Sequence, residues 1–141
     1  SDGFCVDRHR ASFQELVDGH VDVLFANETE IRSLYEVDSF ESATDQVRGR
    51  CRVAALTRSE LGSVVLSGED TLVIPPYRLG ELVDTTGAGD LYAAGFLYGY
   101  TRGESLERCG HLGSLCAGQV VTQLGPRPQA SLPELVANHL A

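Results

Sequence analysis

Methionine and tryptophan are both missing from this chain, methionine even at position 1. The sequence opens instead on Ser1-Asp2-Gly3-Phe4, next to an apolar run, and so reads as a piece cut from a longer protein. Basic residues are scarce: 11 Lys and Arg stand against 20 Asp and Glu, for a net charge of −9 and a pI near 4.7. That balance excludes a nucleic-acid or anionic-membrane surface held by bulk positive charge. It leaves room for one bound nucleotide, because backbone amides and a metal ion hold phosphates on an acidic protein. Cys5, Cys51, Cys109 and Cys116 form no CxxC pair. His111 lies near the last two, but a zinc site needs four ligands and no others are evident. Reduced, half-buried thiols of a cytosolic protein are the expectation. No stretch reads as a signal peptide. The longest apolar run, Leu91 to Tyr100, is about half a membrane span and contains Gly95 and Gly99. A soluble, cytoplasmic chain is expected.

What remains is ordinary globular material. The 141 residues are 43% hydrophobic and 22% charged, enough for one domain with a real core. Phe4-Cys5-Val6 suggests a short strand. Ser12-Phe13-Gln14-Glu15 has the form of a capping box, with Phe13, Leu16 and Val17 at helical spacing and Gly19 suited to the helix end. Val21 to Ala26 reads as a strand apolar enough to be buried on both faces. Asn27-Glu28-Thr29-Glu30 opens a helix carrying Ile31, Leu34 and Tyr35. Phe40 to about Arg48 is a further helix with Phe40, Ala43 and Val47 inward. Arg52 to Thr57 is a strand, and Arg58 to Gly62 a loop. Ser63–Ser67 and Thr71–Ile74 form a β-hairpin across Gly68-Glu69-Asp70, ended by Pro75-Pro76. A helix from about Ala88 to Tyr100 and another from Ser105 to about Gln123 follow. Gly125-Pro126-Arg127-Pro128 breaks the second. Ser131-Leu132-Pro133-Glu134 caps a last helix, with Leu132, Leu135, Val136 and Leu140 on one stripe. Strands alternating with helices predict an α/β layered fold around a mainly parallel sheet with one inserted hairpin.

Asp84-Thr85-Thr86-Gly87-Ala88-Gly89-Asp90 is the most informative segment. Small residues let successive N–H groups point into one cavity, and the helix that starts there adds open amides and its positive dipole end. Asp90, in the first turn, can turn its carboxylate to the same cavity. An anion site beside a carboxylate base suits removal of a hydroxyl proton while the amides stabilise a phosphoryl group in transfer. The plain alternative is a Gly-rich turn with Asp90 as a helix-start carboxylate. A dinucleotide fingerprint fails because Gly87-Ala88-Gly89-Asp90-Leu91-Tyr92 ends in Tyr92 instead of Gly. A Walker A loop fails because no Lys follows.

This loop, continued by Tyr92 and Ala94-Gly95-Phe96-Leu97, resembles the C-terminal signature of the ribokinase-like, or phosphofructokinase B (PfkB), carbohydrate and nucleoside kinases. The resemblance implies that Asp90 is the catalytic base and that the amides of Gly87, Ala88, Gly89 and Asp90 form the anion hole. Asn27-Glu28-Thr29-Glu30 resembles the N-x-x-E motif of the same family, which implies that Asn27 and Glu30 help hold magnesium, largely through water; a helix cap is the plain alternative, and both can be true. Thr57-Arg58-Ser59-Glu60-Leu61-Gly62 resembles the nucleotide loop T-x-G-x-x-G. It matches at Thr57 and Gly62 and departs at Ser59, in wording similar to a bacterial adenosine kinase-like or sugar kinase-like branch. Thr86 is implied in nucleotide binding, and Ser114 falls where the family helix lines the adenine pocket. Asp84, Thr86 and Gly125 correspond to a monovalent-cation site for potassium, with Pro126 departing from the family's usual Ala.

The likeness runs from about Phe4 to Leu140. It implies the C-terminal part of a three-layer α/β/α ribokinase-like fold. Residues 1–141 would then be its nucleotide-binding, base-bearing part, without the N-terminal half and lid. The expected activity is ATP- and magnesium-dependent phosphoryl transfer to a sugar or nucleoside hydroxyl, the full-length protein being a possible homodimer. One rival is a nucleotide-binding fragment without turnover, lacking the acceptor pocket. A weaker rival, a dinucleotide enzyme, is opposed by the missing third Gly. On the truncated reading, the isolated chain should expose an apolar edge and self-associate.

Overall fold

The computed structural model describes residues 3–127 and 129–140. Among them are seven α-helices and one four-stranded sheet of order β1-β2-β3-β4. The strands are β1 (Val23–Asn27), β2 (Val53–Thr57), β3 (Ser63–Ser67) and β4 (Asp70–Ile74). β1 and β2 are parallel, with Val23 opposite Val53 and Asn27 opposite Thr57. β3 and β4 are the expected hairpin, turning at Gly68. The sheet is therefore mixed. The chain divides into two compact units, Ser1–Arg58 with Val64–Leu72, and Ser59–Ser63 with Val73–Ala141.

In the first unit the helices are α1 (Gly3–Arg8), α2 (Arg10–Gly19), α3 (Glu28–Tyr35) and α4 (Phe40–Val47). Its core joins Ile31 and Leu34 of α3 and Phe40, Ala43 and Val47 of α4 to alternate residues of β2 and β3, Ala54 and Leu56, Val64 and Leu66. Each large apolar side chain buried this way contributes about 1.5–3 kcal/mol. The inward face of α4 is the one expected from its spacing.

Three expectations fail here. Phe4-Cys5-Val6 is helical, within α1. Three apolar residues carry no period, and the burial follows a helical face: Val6 is 4% exposed and Phe4 83%. Ser12 is no cap either. α2 starts at Arg10, behind a non-helical His9 that makes no side-chain cap bond, so Ser12 already lies inside the helix. β1 is only half-buried along Val23–Ala26. Among the described residues it ends the strand order and pairs with β2 alone, whereas β2 and β3 are buried on both faces.

The second unit holds α5 (Ala88–Tyr100), α6 (Leu106–Val120) and α7 (Leu132–His139). α5 begins and ends where its sequence pattern placed it. α6 is capped by Ser105, whose side chain accepts from the Arg108 amide, and stops at Val120, short of Gln123. α5 and α6 approach closely: a Cβ on Gly95 would lie 2.5 Å from the Leu112 carbonyl oxygen and 2.8 Å from Cys116 Sγ. Tyr92 is buried there, its hydroxyl 2.8 Å from Ser63 Oγ, and burial pushes its pKa up to about 12. Cys109 and Cys116 are buried, and desolvation pushes the Cys116 thiol up to about 11. Ser131 and Glu134 form the expected capping box of α7. Pro128, one of the helix-breaking residues of the sequence reading, lies outside the described residues. Among the described residues no helix is long and apolar enough to cross a membrane.

Candidate active site

The first unit carries Asn27, Glu30 and Thr57. Asn27 and Thr57 are the last register partners of the β1–β2 ladder, so both motifs emerge at the same end of two adjacent strands. Asn27 caps α3. Its Oδ1 accepts from the Glu30 amide at 2.8 Å, and Glu30 Oε2 accepts from the Asn27 amide at 2.9 Å. The capping alternative is thus real. It does not exhaust either side chain, since the Asn27 amino group and the other Glu30 carboxylate oxygen lie outside these two bonds. Among the described residues no three His, Cys, Asp or Glu cluster closely enough to hold a metal ion by themselves. A magnesium ion here would be carried by phosphates and water, with Asn27 and Glu30 at one remove.

The loop after β2 is a 3₁₀ turn, Ser59–Leu61. Ser59 has a φ of 52°, a left-handed conformation in which glycine is at ease and serine is not. Ser59 is the position at which the sequence departs from the expected T-x-G-x-x-G. At Gly62, φ is 87° and a Cβ would stand 2.1 Å from the Ile74 carbonyl oxygen and 2.9 Å from Pro75. Glycine is required at 62 by the protein's own backbone, whatever the ligand. Gly62→Ala is therefore expected to cost about 2–4 kcal/mol of stability, read by urea titration; an unchanged midpoint would show that the hairpin end yields.

The second unit carries the glycine loop. Asp84 Oδ1 accepts from the Thr86 amide at 2.9 Å and the Thr86 hydroxyl at 2.7 Å, and Oδ2 accepts from the Gly125 amide at 3.3 Å. These donors hold the Asp84 carboxyl below its ordinary pKa, Thr86 first. Their contribution to folding is present above the ordinary carboxylate pKa and is lost as pH falls through the depressed one. The three residues of the candidate potassium site are thus joined. Three donors on Asp84 still leave a lone-pair site for a cation. Pro126 fits the same joint: Gly87 has a φ of 80°, and a Cβ on it would meet Pro126 Cβ at 2.6 Å.

Gly87 is the N-cap of α5, which puts Ala88, Gly89 and Asp90 in the first turn. The Ala88 amide donates to the Thr85 carbonyl at 3.1 Å and is not open to a ligand. Among the described residues, the amides of Gly87, Gly89 and Asp90 have no recorded acceptor. A Cβ on Gly89 would meet nothing within 4 Å. Asp90 is exposed at the same helix start. The arrangement offers three open donors, the positive end of a 13-residue helix and an adjacent carboxylate. Ser114 is buried on α6, at 6% exposure. A pair that the motif reading passed over is Arg58 with Glu28, neighbours of Thr57 and Asn27 in sequence and joined at 2.9 Å.

Residues 5–134 match the pfkB family carbohydrate kinases, and the chain belongs to that family. The crystal structure of adenosine kinase from Sinorhizobium meliloti is 51% identical, with a TM-score of 0.94 over all of this chain and 43% of that one. A probable sugar kinase from Rhizobium etli CFN 42 is 52% identical, with a TM-score of 0.95 over 98% of this chain and 42% of that one. A nucleoside kinase from Methanocaldococcus jannaschii is 36% identical over 114 residues, 81% of this chain and 36% of its own length. The chain thus spans well under half the length of these relatives. Its α/β fold is that of ribokinase-family kinases, as the sequence resemblance implied.

Proposed function

We propose that residues 1–141 form the nucleotide-binding, base-bearing part of a kinase that transfers the γ-phosphoryl group of ATP to a hydroxyl of a sugar or nucleoside. The observation that carries this is the start of α5, where the open amides of Gly87, Gly89 and Asp90 adjoin the exposed Asp90 carboxylate. Family membership and the kinases similar to this chain support the same chemistry. Asp90 takes the proton from the acceptor hydroxyl as its oxygen attacks phosphorus. The open amides donate to the phosphoryl oxygens, whose hydrogen-bonding demand grows in the transition state. Asn27 and Glu30 are the residues that would hold magnesium through water, and the ion would offset charge on the β- and γ-phosphates. Thr57 offers its hydroxyl to phosphate or ribose, and Asp84, Thr86 and Gly125 would hold potassium.

The test is a phosphoryl-transfer screen of the protein that carries this chain, with ATP and magnesium, across sugars and nucleosides, adenosine first. ADP formation dependent on one acceptor is expected. Calorimetric binding of ATP with no transfer to any acceptor would favour a nucleotide-binding role without turnover.

Glu30→Gln separates the two roles of the α3 start. Its side-chain carbonyl can still accept from Asn27, so less than about 1 kcal/mol of stability should go. The lost charge should raise the magnesium concentration needed for half-maximal rate. A lower melting temperature with an unchanged magnesium response would leave Glu30 as a cap only.

A further inference from the structure

Arg58 and Glu28 occupy the positions directly after the last register pair of the β1–β2 ladder, Thr57 and Asn27. Where the two strands leave the sheet, the pairing passes from backbone to side chain: Arg58 Nε donates to Glu28 Oε2 at 2.9 Å. The Arg58 guanidinium also lies 4.0 Å from the centre of the Phe40 ring. Phe40 opens α4 and is 4% exposed, so it offers a fixed surface. The two charged side chains are only 25% and 31% exposed. A flat guanidinium that stacks on a ring and donates to a carboxylate is held in one orientation, as an ammonium would not be. The other ion pairs among the described residues, Arg10 with Asp7 and Glu36 and Arg50 with Asp18, touch neither motif.

Glu28 and Glu30 are both in the first turn of α3. Pairing Glu28 with Arg58 neutralises one of these charges and leaves Glu30 as the negative charge of the turn. It also ties the start of α3, and with it Asn27 and Glu30, to the residue that follows Thr57. We propose that Arg58 is a positioning residue which acts through Glu28: it fixes the start of α3 against the end of β2 so that both meet a nucleotide in register. This rests on the kinase reading above.

The test is a double-mutant cycle of Arg58→Ala, Glu28→Gln and the two together, in the protein that carries this chain. Calorimetric ADP binding, KM for ATP, kcat and melting temperature are measured on each. Either single change should raise KM for ATP about 5–50-fold with a smaller change in kcat. The double variant should be little worse than either single one, because both remove the same link. Arg58→Lys, which keeps the charge and loses the planar fork, should fall between wild type and Arg58→Ala. A normal KM for Glu28→Gln beside a raised KM for Arg58→Ala would overturn the proposal, since Arg58 would then meet the nucleotide by itself. Lower melting temperatures with unchanged KM would overturn it too, reducing the pair to packing. If the wild-type protein neither bound ADP nor consumed ATP, the kinase reading would fall and take this inference with it.

Discussion

Asp90→Asn, made in the protein that carries this chain, should lower kcat for phosphoryl transfer by about 10²–10⁴ and leave ATP affinity nearly unchanged. Asn has almost the same shape as Asp and cannot take a proton from a hydroxyl at neutral pH. Asp90 is exposed, and among the described residues its carboxylate has no recorded hydrogen bond or ion pair. The fold therefore loses little by the change, about 0.3–1 kcal/mol from the helix dipole at the start of α5. The expected rate loss corresponds to about 2.7–5.4 kcal/mol of transition-state stabilisation, far beyond that dipole term. If Asp90 serves only as a first-turn carboxylate, the outcome is the opposite pair: a slightly lower melting temperature and unchanged kcat. Measuring both on one variant separates the readings. The ATP dependence is part of the test, because a large rise in KM would move Asp90 from proton transfer to nucleotide binding.

Those features of the fold and candidate site that depend on short stretches of chain were legible from residues alone. The Asn27–Glu30 box and the inward face of α4 follow from a cap and from apolar spacing, and α5 follows from the glycine-rich loop that leads into it; the structure has each of them. Phe4-Cys5-Val6 carried no such signal, because three apolar residues fit a strand or a helix equally and only the burial of Val6 with Val17 decides. Ser12 had the right residue three places before Glu15, but the chain was already helical before it. The half-burial of β1 depends on how many strands flank it, which its own residues do not encode.

At the site, the glycine loop was visible as composition, yet the state of each amide was not. The Ala88 amide is engaged by Thr85, a bond that depends on the dihedral angles of the turn. The requirement for glycine at 62 arises from the Ile74 carbonyl, twelve residues along the chain, and is independent of any nucleotide. Arg58 and Glu28 are thirty residues apart and meet because Thr57 and Asn27 are ladder partners. Register of this kind is a property of the assembled sheet.

Gly89→Val should lower kcat/KM by about 10²–10³, as loss of one anion-hole donor does, and should leave the protein at least as stable as wild type. The two halves of this expectation have separate causes. Gly89 is the second residue of α5, a Cβ there would meet nothing within 4 Å, and its φ lies outside the left-handed region. Nothing in the protein itself thus calls for glycine, and Val is the better helix residue by about 0.3 kcal/mol or more. Gly87 makes a poor probe by comparison, because its φ of 80° and the nearby Pro126 ring would upset the loop whatever bound there. At 89 the branched side chain instead occupies open space at the start of α5, the helix end where the proposed reading puts the transferring phosphoryl group. Gly89→Ala, with one carbon in that space, should lose less than Val. Turnover should fall in proportion to the bulk added while the melting temperature holds or rises, a combination that a destabilised loop cannot produce. A Gly89→Val protein that melted at or above the wild-type temperature and turned over normally would reduce the loop to a helix start and remove the anion hole from the mechanism.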